Sequence, residues 1–328
     1  MVKPRNKQKP HEPVLVDEVL EALRLRELAL SKKQTHFIDA TLGFGGHTLN
    51  LVKSGANVLA IEADKKSIEV AQKRLKSVLT RPITSRFGGS ETCPTPEVYN
   101  ELPRGSFKLV YGNFRKIDEI AKNHKFHSVD GILFDLGISS YQLSDSRGFS
   151  FGKRQDPLDM RIDPETQAVK ASDLLNALDE KKLTLLFEVV LPKPTGLYLA
   201  KRIVERRLQK KFESVGDLLE IVGDKKTYHR IHPATLSFLA LRIAVNSELE
   251  NLKESIPRAY ELLKKGGRLV VISFHSAEDS IVKKFFREYQ DKDMAKIISK
   301  KPIVPTKNEI FANPRARSAK MRVLEKIW

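Results

Sequence analysis

The chain has 328 residues, 41% hydrophobic and 30% charged, which is long enough to bury a full core and ordinary for a globular protein. Its 58 Lys and Arg against 41 Asp and Glu leave a formal net charge of +17, a surplus that favours a polyanionic partner such as nucleic acid. The lone cysteine, Cys93, excludes an intrachain disulfide. No His/Cys group has zinc-like spacing and no apolar run nears bilayer length, so the expectation is a cytoplasmic protein with no metal and no membrane attachment.

Residues 1–10 form a basic tail with no apolar stretch after it, unlike a secretory signal. Pro13 to Leu23 places apolar residues at helical spacing. Thr35 to Leu42 reads as a first strand, followed by a glycine cluster and a helix from Thr48. Asn57 to Glu62 is a second buried strand, with a helix from about Lys65 to Leu79. Such a βαβ unit belongs to a parallel sheet with ligands at the carboxyl ends of its strands. Thr80 to Gly105, rich in Pro, Gly, Ser and Thr, suggests a surface insertion. Phe107 to Tyr111 and Val129 to Asp135 are the third and fourth strands. From 144 to 228 the strand signal fades and helical stretches take over, such as Ala171 to Leu178 and Leu199 to Leu208. The α/β pattern then resumes with helices around Pro233 to Asn246 and Leu249 to Leu263. A fifth strand over Gly266 to Ser273, a helix from Ser280 to Tyr289, and strands near Ala295 to Ser299 and Ala319 to Glu325 complete it. The expected fold is a doubly wound α/β domain (11–143 and 229–328) carrying an inserted helical domain (144–228).

Asp39 to His47 places glycines directly after strand one, where a backbone without side chains lets a ligand approach closely. A dinucleotide loop would carry a third glycine at position 48; Thr48 stands there and counts against a pyrophosphate cofactor. Glu62 ends strand two at the distance from which an acid reaches ribose hydroxyls. Loop and acid together indicate an adenosine-containing cofactor. Strand four ends in Asp135-Leu-Gly-Ile-Ser-Ser140, where doubly wound methyltransferases place the groups facing a methyl acceptor. A carboxylate accepting the N–H of an exocyclic amine favours a localised lone pair for in-line attack. Asp135 is suited to that role, to cofactor binding, or to capping the turn.

Taken together, these segments resemble the small-subunit (16S) ribosomal RNA (cytosine-N4)-methyltransferases of the RsmH type. The resemblance rests on His11 to Leu15, Asp39 to His47, Asp135 to Ser140 with Gln142 and Leu143, and Arg147 to Phe151. It continues through Pro157 to Arg161, His232 to Thr235, Ala240 to Asn246, Ser273 to Ser276 and Asn313 to Lys320. It implies a Rossmann-like class I sheet with an all-helical insertion, and S-adenosyl-L-methionine as methyl donor, leaving S-adenosyl-L-homocysteine. The implied acceptor is a cytidine N4 in the decoding region of small-subunit ribosomal RNA, met as free RNA or within the subunit by a monomer or homodimer. Cofactor contacts would fall on Gly45, Gly46, His47, Glu62, Phe114, Asp135 and Gln142; the family usually has Asp where this chain has Glu62. Other departures are Leu186 to Gly196 in place of a Gly-Glu-Glu segment, Leu239 for Gln and Ala277 for Leu.

Arg147, Phe149, Phe151 and Arg161 interleave guanidinium groups with aromatics, and Arg315, Arg317 and Lys320 form a second basic run. Both compositions suit phosphate contact and base stacking, and equally a solvated face or a core. His275, after strand five, is a second catalytic candidate beside Asp135, able to take a proton near neutral pH or simply to brace a loop. Two rival readings stay open: a nicotinamide-dependent oxidoreductase, and a noncatalytic RNA-binding factor of ribosome assembly.

Overall fold

A computed structural model describes residues 13–30, 33–79, 105–223, 232 and 234–328. The basic tail, most of the 80–105 insertion, Cys93 and the expected boundary at 228–229 lie outside the described residues. Helices α1 (Val16–Ala22) and α2 (Leu25–Leu30) precede β1 (His36–Asp39); α3 (Gly46–Lys53) leads to β2 (Asn57–Glu62) and α4 (Lys65–Leu79) to β3 (Phe107–Tyr111). Helix α5 (Ile117–Asn123) then leads to β4 (Val129–Asp135). Before β5 (Leu263–Ser273) the chain makes α6 (Ser140–Ser144), α7 (Ala171–Ala177), α8 (Glu180–Glu188), α9 (Lys193–Arg207), α10 (Val215–Val222), α11 (Ala234–Asn246) and α12 (Glu248–Leu262). Helix α13 (Ser276–Asp291), β6 (Ala295–Ile297), α14 (Lys307–Ala312) and β7 (Lys320–Lys326) follow.

The strands form one sheet in the order β3-β2-β1-β4-β5-β7-β6. The first five run parallel, and β7 is antiparallel to both β5 and β6. Successive side chains of a strand face opposite ways, and both faces are buried. Phe37, Val58, Ala60, Leu133, Val270 and Ile272 join the helices on one side, whereas Ile38, Leu59, Ile61, Ile132, Phe134 and Val271 join those on the other. This explains the near-continuous apolar runs of β2 and β4. Thus the sheet is a Rossmann-like doubly wound sheet with a helical insertion between β4 and β5. Among the described residues no helix is long and apolar enough to cross a membrane.

The insertion has a core of its own. Leu175, Leu183, Phe187, Leu199, Ile203, Phe212 and Leu218 from α7 to α10 meet Phe149, Leu158 and Met160 from the preceding loop. Helix α11 contributes Phe238, Leu241 and Val245 to the same cluster before the chain returns to the sheet. Helix α9 begins at Lys193, earlier than its periodicity suggests, because Pro194 sits in its first turn, where a missing N–H costs no hydrogen bond.

The loop into this core turns at Gly148, whose φ of 75° is left-handed and whose missing Cβ would drive into the Pro157 carbonyl oxygen. Gly148→Ala is expected to lower unfolding stability by about 2–4 kcal/mol through backbone strain and collision together, measured by denaturant titration. A change below about 0.5 kcal/mol would show that the loop shifts freely.

Candidate active site

A cavity of about 350 Å³ opens at the carboxyl ends of β1, β2 and β4. Its floor begins at the turn after β1. Gly45 adopts a φ of 71° and caps α3, so the chain reverses within a few residues. Gly43 and Gly46 line the cavity, but Gly45 does not: a Cβ there would point at Leu75 and Leu42. Gly45 therefore shapes the loop, and Gly43 lines the cavity in its place. Thr48 is fully buried, and its hydroxyl donates to Asp39 Oδ2 at 2.6 Å. The position where a dinucleotide loop needs a third glycine is thus used to brace the strand.

Glu62 ends β2 in the cavity wall, and its carboxylate accepts from the backbone N–H of Gly43 (2.8 Å) and of Asp64 (2.9 Å). Burial pushes its pKa up to about 7, against the lowering effect of those two bonds. Phe114 lines the cavity just after β3, with Phe134 edge-on behind it at 5.5 Å. Gln142 also lines it; the Gln142 side chain accepts from Ser139 N at 2.8 Å in the capping box of α6 and donates to Asp64 at 3.3 Å.

Asp135 stands at the end of β4, where its backbone N–H donates to Thr41 Oγ1 at 2.6 Å. His47 Nε2 lies 3.5 Å from Asp135 Oδ2. Burial opposes the charged His47 imidazole, but Asp135 and Asp39 outweigh it and raise its pKa. Asp39 itself is raised by burial, in spite of its bonds to Thr48 and Thr41. Seven buried side-chain polar atoms among the described residues have no hydrogen-bond partner, and His47 Nε2 and Asp135 Oδ1 are two of them. Both residues face the cavity. Facing a cavity, such atoms are available to a ligand.

Of the expected cofactor residues, Gly46, His47, Glu62, Phe114, Asp135 and Gln142 come together around this one cavity. Sequence reasoning missed Gly43, Ile162, Arg242 and Phe274, which also line it. Gly43 was within reach, since it lies inside the glycine cluster already singled out. Arg242 and Phe274 lie in two of the segments that carried the family resemblance, Ala240 to Asn246 and Ser273 to Ser276, but no role was assigned to either residue.

His275 is not in the cavity lining. It is the N-cap of α13, where Nδ1 accepts from Glu278 N at 3.4 Å and Nε2 faces Glu278 Oε1 at 3.0 Å. Its place as a brace follows, because both nitrogens are turned to its own helix. Glu248, His275 and Glu278 form a compact trio that could in principle hold a cation. However, an accepting Nδ1 puts the imidazole proton on Nε2, and Arg242 occupies both Glu248 oxygens. A ligating histidine has the opposite pattern, with its second nitrogen donating.

The expected RNA contacts divide. Arg147 and Phe149 are interior residues, 9% and 6% exposed. Arg147 pairs with Asp64 (2.6 Å) and Asp145 (2.7 Å) and donates to the carbonyls of Arg161 and Ile162. Burial of the Arg147 cation is offset by Asp64 and Asp145, which raise its pKa. Phe149 packs in the helical core, and Phe151 stacks on His232 at 4.5 Å. Arg161 donates two hydrogen bonds to Asp159, from Nε to Oδ1 and from Nη2 to Oδ2, both 2.7 Å. Only the second basic run fits an outer surface: Arg315 and Arg317 are exposed on a 3₁₀ turn, Pro314–Ser318, and Arg315 lines the cavity mouth. Lys320 is half-buried, 3.9 Å from Asp279.

A glycine loop after β1, an acid ending β2 and a polar carboxylate ending β4 on this sheet define a class I methyltransferase. The MraW methylase family model matches residues 8–92 and 97–327. A protein of Dictyoglomus thermophilum called Ribosomal RNA small subunit methyltransferase H is 39% identical, with 96% of each chain covered. Proteins of the same name from Sulfurihydrogenibium azorense and Persephonella marina are 37% and 38% identical, each with 97% of this chain and 99% of the relative covered. The chain belongs to the MraW methylase family.

If Glu62 holds a ribose hydroxyl, the charged carboxylate is the stronger acceptor and the neutral acid the weaker. Affinity for S-adenosylhomocysteine should therefore fall as pH drops through about 7 and level off above it. Glu62→Gln should flatten that profile and weaken binding about 10- to 100-fold at pH 8, read by calorimetry. A pH-independent wild-type affinity would remove Glu62 from the contact.

Proposed function

We propose that this chain transfers a methyl group from S-adenosylmethionine to N4 of a cytidine in the decoding region of 16S small-subunit ribosomal RNA. The observation that carries this reading is Asp135 Oδ1, buried without a partner at the end of β4, in the same cavity as Glu62 and the glycine loop. The names of its full-length relatives support ribosomal RNA as the acceptor. A cytoplasmic location follows from that substrate.

The residues present fit the methyl donor. Glu62 would hold the ribose, Phe114 would pack on the adenine, and Gly43, Gly46 and His47 would flank the amino-acid end, with Gln142 closing the wall. Once bound, S-adenosylmethionine supplies a methyl group on a positively charged sulfur. Asp135 Oδ1 accepts one N–H of the cytosine amine, which turns the nitrogen lone pair toward that methyl group. The amine gains acidity as it bonds to carbon, and the same carboxylate is placed to take its proton. His47 Nε2 stands 3.5 Å from the other Asp135 oxygen. The helical insertion, expected over 144–228, would form the wall against which RNA docks. Arg315 and Arg317 would contact its backbone at the cavity mouth. The target base must leave any stack to reach the cavity.

The decisive measurement is mass-spectrometric mapping of methylated nucleosides in ribosomal RNA with and without the protein. N4-methylcytidine appearing at a decoding-region position is the expected result; a different base or no new methylation sinks the reading. Asp135→Ala should bind S-adenosylhomocysteine yet lose on the order of 10²- to 10⁴-fold in turnover. Arg315→Ala with Arg317→Ala should weaken RNA binding and reduce the slope of log affinity against log salt by about 1–2. An unaltered slope would mean that neither arginine meets a phosphate.

A further inference from the structure

Arg242 reaches the cavity from α11, near the end of β5, yet the donor and its carboxylate partner leave it without a task. Its Nε and Nη2 donate to Glu248 Oε1 (2.8 Å) and Oε2 (2.9 Å), a planar two-bond pair. The side chain is 12% exposed, and Glu248 beside it 15%. Burial opposes the Arg242 charge, but Glu248 and Glu278 outweigh it, so the guanidinium is held as a cation. Nη1 makes no hydrogen bond among the described residues, while Arg242 lines the cavity together with Asp135 and Phe274.

We propose that Arg242 selects the acceptor base, its Nη1 donating to the O2 carbonyl of cytosine while Asp135 accepts from N4. This rests on the reading that the acceptor is a cytidine. The pyrimidine edge of cytosine presents one donor, N4–H, and acceptors at N3 and O2. A flipped base is identified by hydrogen bonds to that edge. Asp135 alone rejects uracil, whose O4 would face the carboxylate with a second lone pair. It does not reject adenine, which also offers an exocyclic amine. Adenine has a C–H where cytosine has O2, so the Arg242 donor would be left facing carbon, and a buried donor without its partner penalises the wrong base.

The Glu248 pairing also solves an electrostatic problem. Positive charge grows on the amine as methyl transfers, and a bare cation across the ring would oppose it. With Glu248 bonded to its other edge, the guanidinium supplies a directional donor with little net field. Phe274, whose backbone N–H is held by Glu278 Oε2 at 2.8 Å, offers a ring in the same cavity for the base to stack on.

The experiment compares small subunits whose mapped target cytidine is either natural or replaced by 2-thiocytidine, sulfur being a poor acceptor. Wild-type kcat/KM should fall about tenfold on the thio substrate. Arg242→Lys keeps a cation opposite Glu248 but shortens the fork; it should lose about tenfold on cytidine and show little further loss on 2-thiocytidine, while its affinity for S-adenosylhomocysteine stays unchanged. An equal thio penalty in variant and wild type overturns the contact, and so does a wild type indifferent to sulfur. Should the lysine variant fail to bind S-adenosylhomocysteine, the neutral pair Arg242→Gln with Glu248→Gln takes its place in the same comparison. If the wild type forms no N4-methylcytidine at all, the cytidine reading fails and carries the inference down with it. Cytidine methylation with an unaltered thio ratio defeats the Arg242 assignment alone.

Discussion

The buried pair between Asp64 and Arg147 holds the sheet and the helical insertion to a single shape. Asp64 sits just beyond β2, and Arg147 on the loop that enters the helical core, 83 residues further along the chain. The two meet at 2.6 Å with side chains only 3% and 11% exposed. Removing one partner of such a pair strands a charge in low dielectric, which is far more costly than the pair is favourable. The same guanidinium fixes the carbonyls of Arg161 and Ile162, and Ile162 lines the cavity. Asp64 in turn holds Gln142. Cavity wall and insertion therefore share one electrostatic joint.

Within that frame the cavity separates its tasks by charge state. Glu62 is poised near neutrality through burial, so it exchanges charge where a ribose would bind. His47 and Asp135 lie together at the other end, 3.5 Å apart, where the carboxylate favours the charged form of the imidazole. The two carboxylates also differ in their bonding: Glu62 accepts from two backbone N–H groups, whereas Asp135 keeps one oxygen open.

Much of this was readable in the chain itself. Burial on both faces of β2 and β4 wrote itself as uninterrupted apolar runs, and the glycine cluster, Glu62 and Asp135 lie at strand ends where a parallel sheet gathers its ligands. What escaped is partner identity. A run of Arg and Phe looks alike whether it meets phosphates or distant carboxylates, and Arg147 finds Asp64 only through the fold. Arg161 pairs with Asp159, two residues away, and that bond needs no partner from the solvent. His275 left two roles open, a proton acceptor near neutral pH or a brace for a loop; in the fold it caps its own helix, with Nδ1 accepting from Glu278 N. Arg242 lies in an apolar helix, and its pairing with Glu248 and its place in the lining come from segments brought together only by the fold.

The placement of the insertion has a consequence for how the molecule comes into being. β4 and β5 are neighbours in the sheet, matched from Gly131 with Arg268 to Asp135 with Ile272, yet residues 136–262 intervene. Closing a loop of that size costs little more than closing one half as long, since the entropy grows only logarithmically. The burden falls on timing. While the chain is being synthesised, β4 stands as an open sheet edge, with hydrogen-bonding groups unpaired, until the last fifth of the molecule arrives. The helical core, whose contacts lie nearer in sequence, has everything it needs before then, so it can settle first and hold the two ends of the gap together.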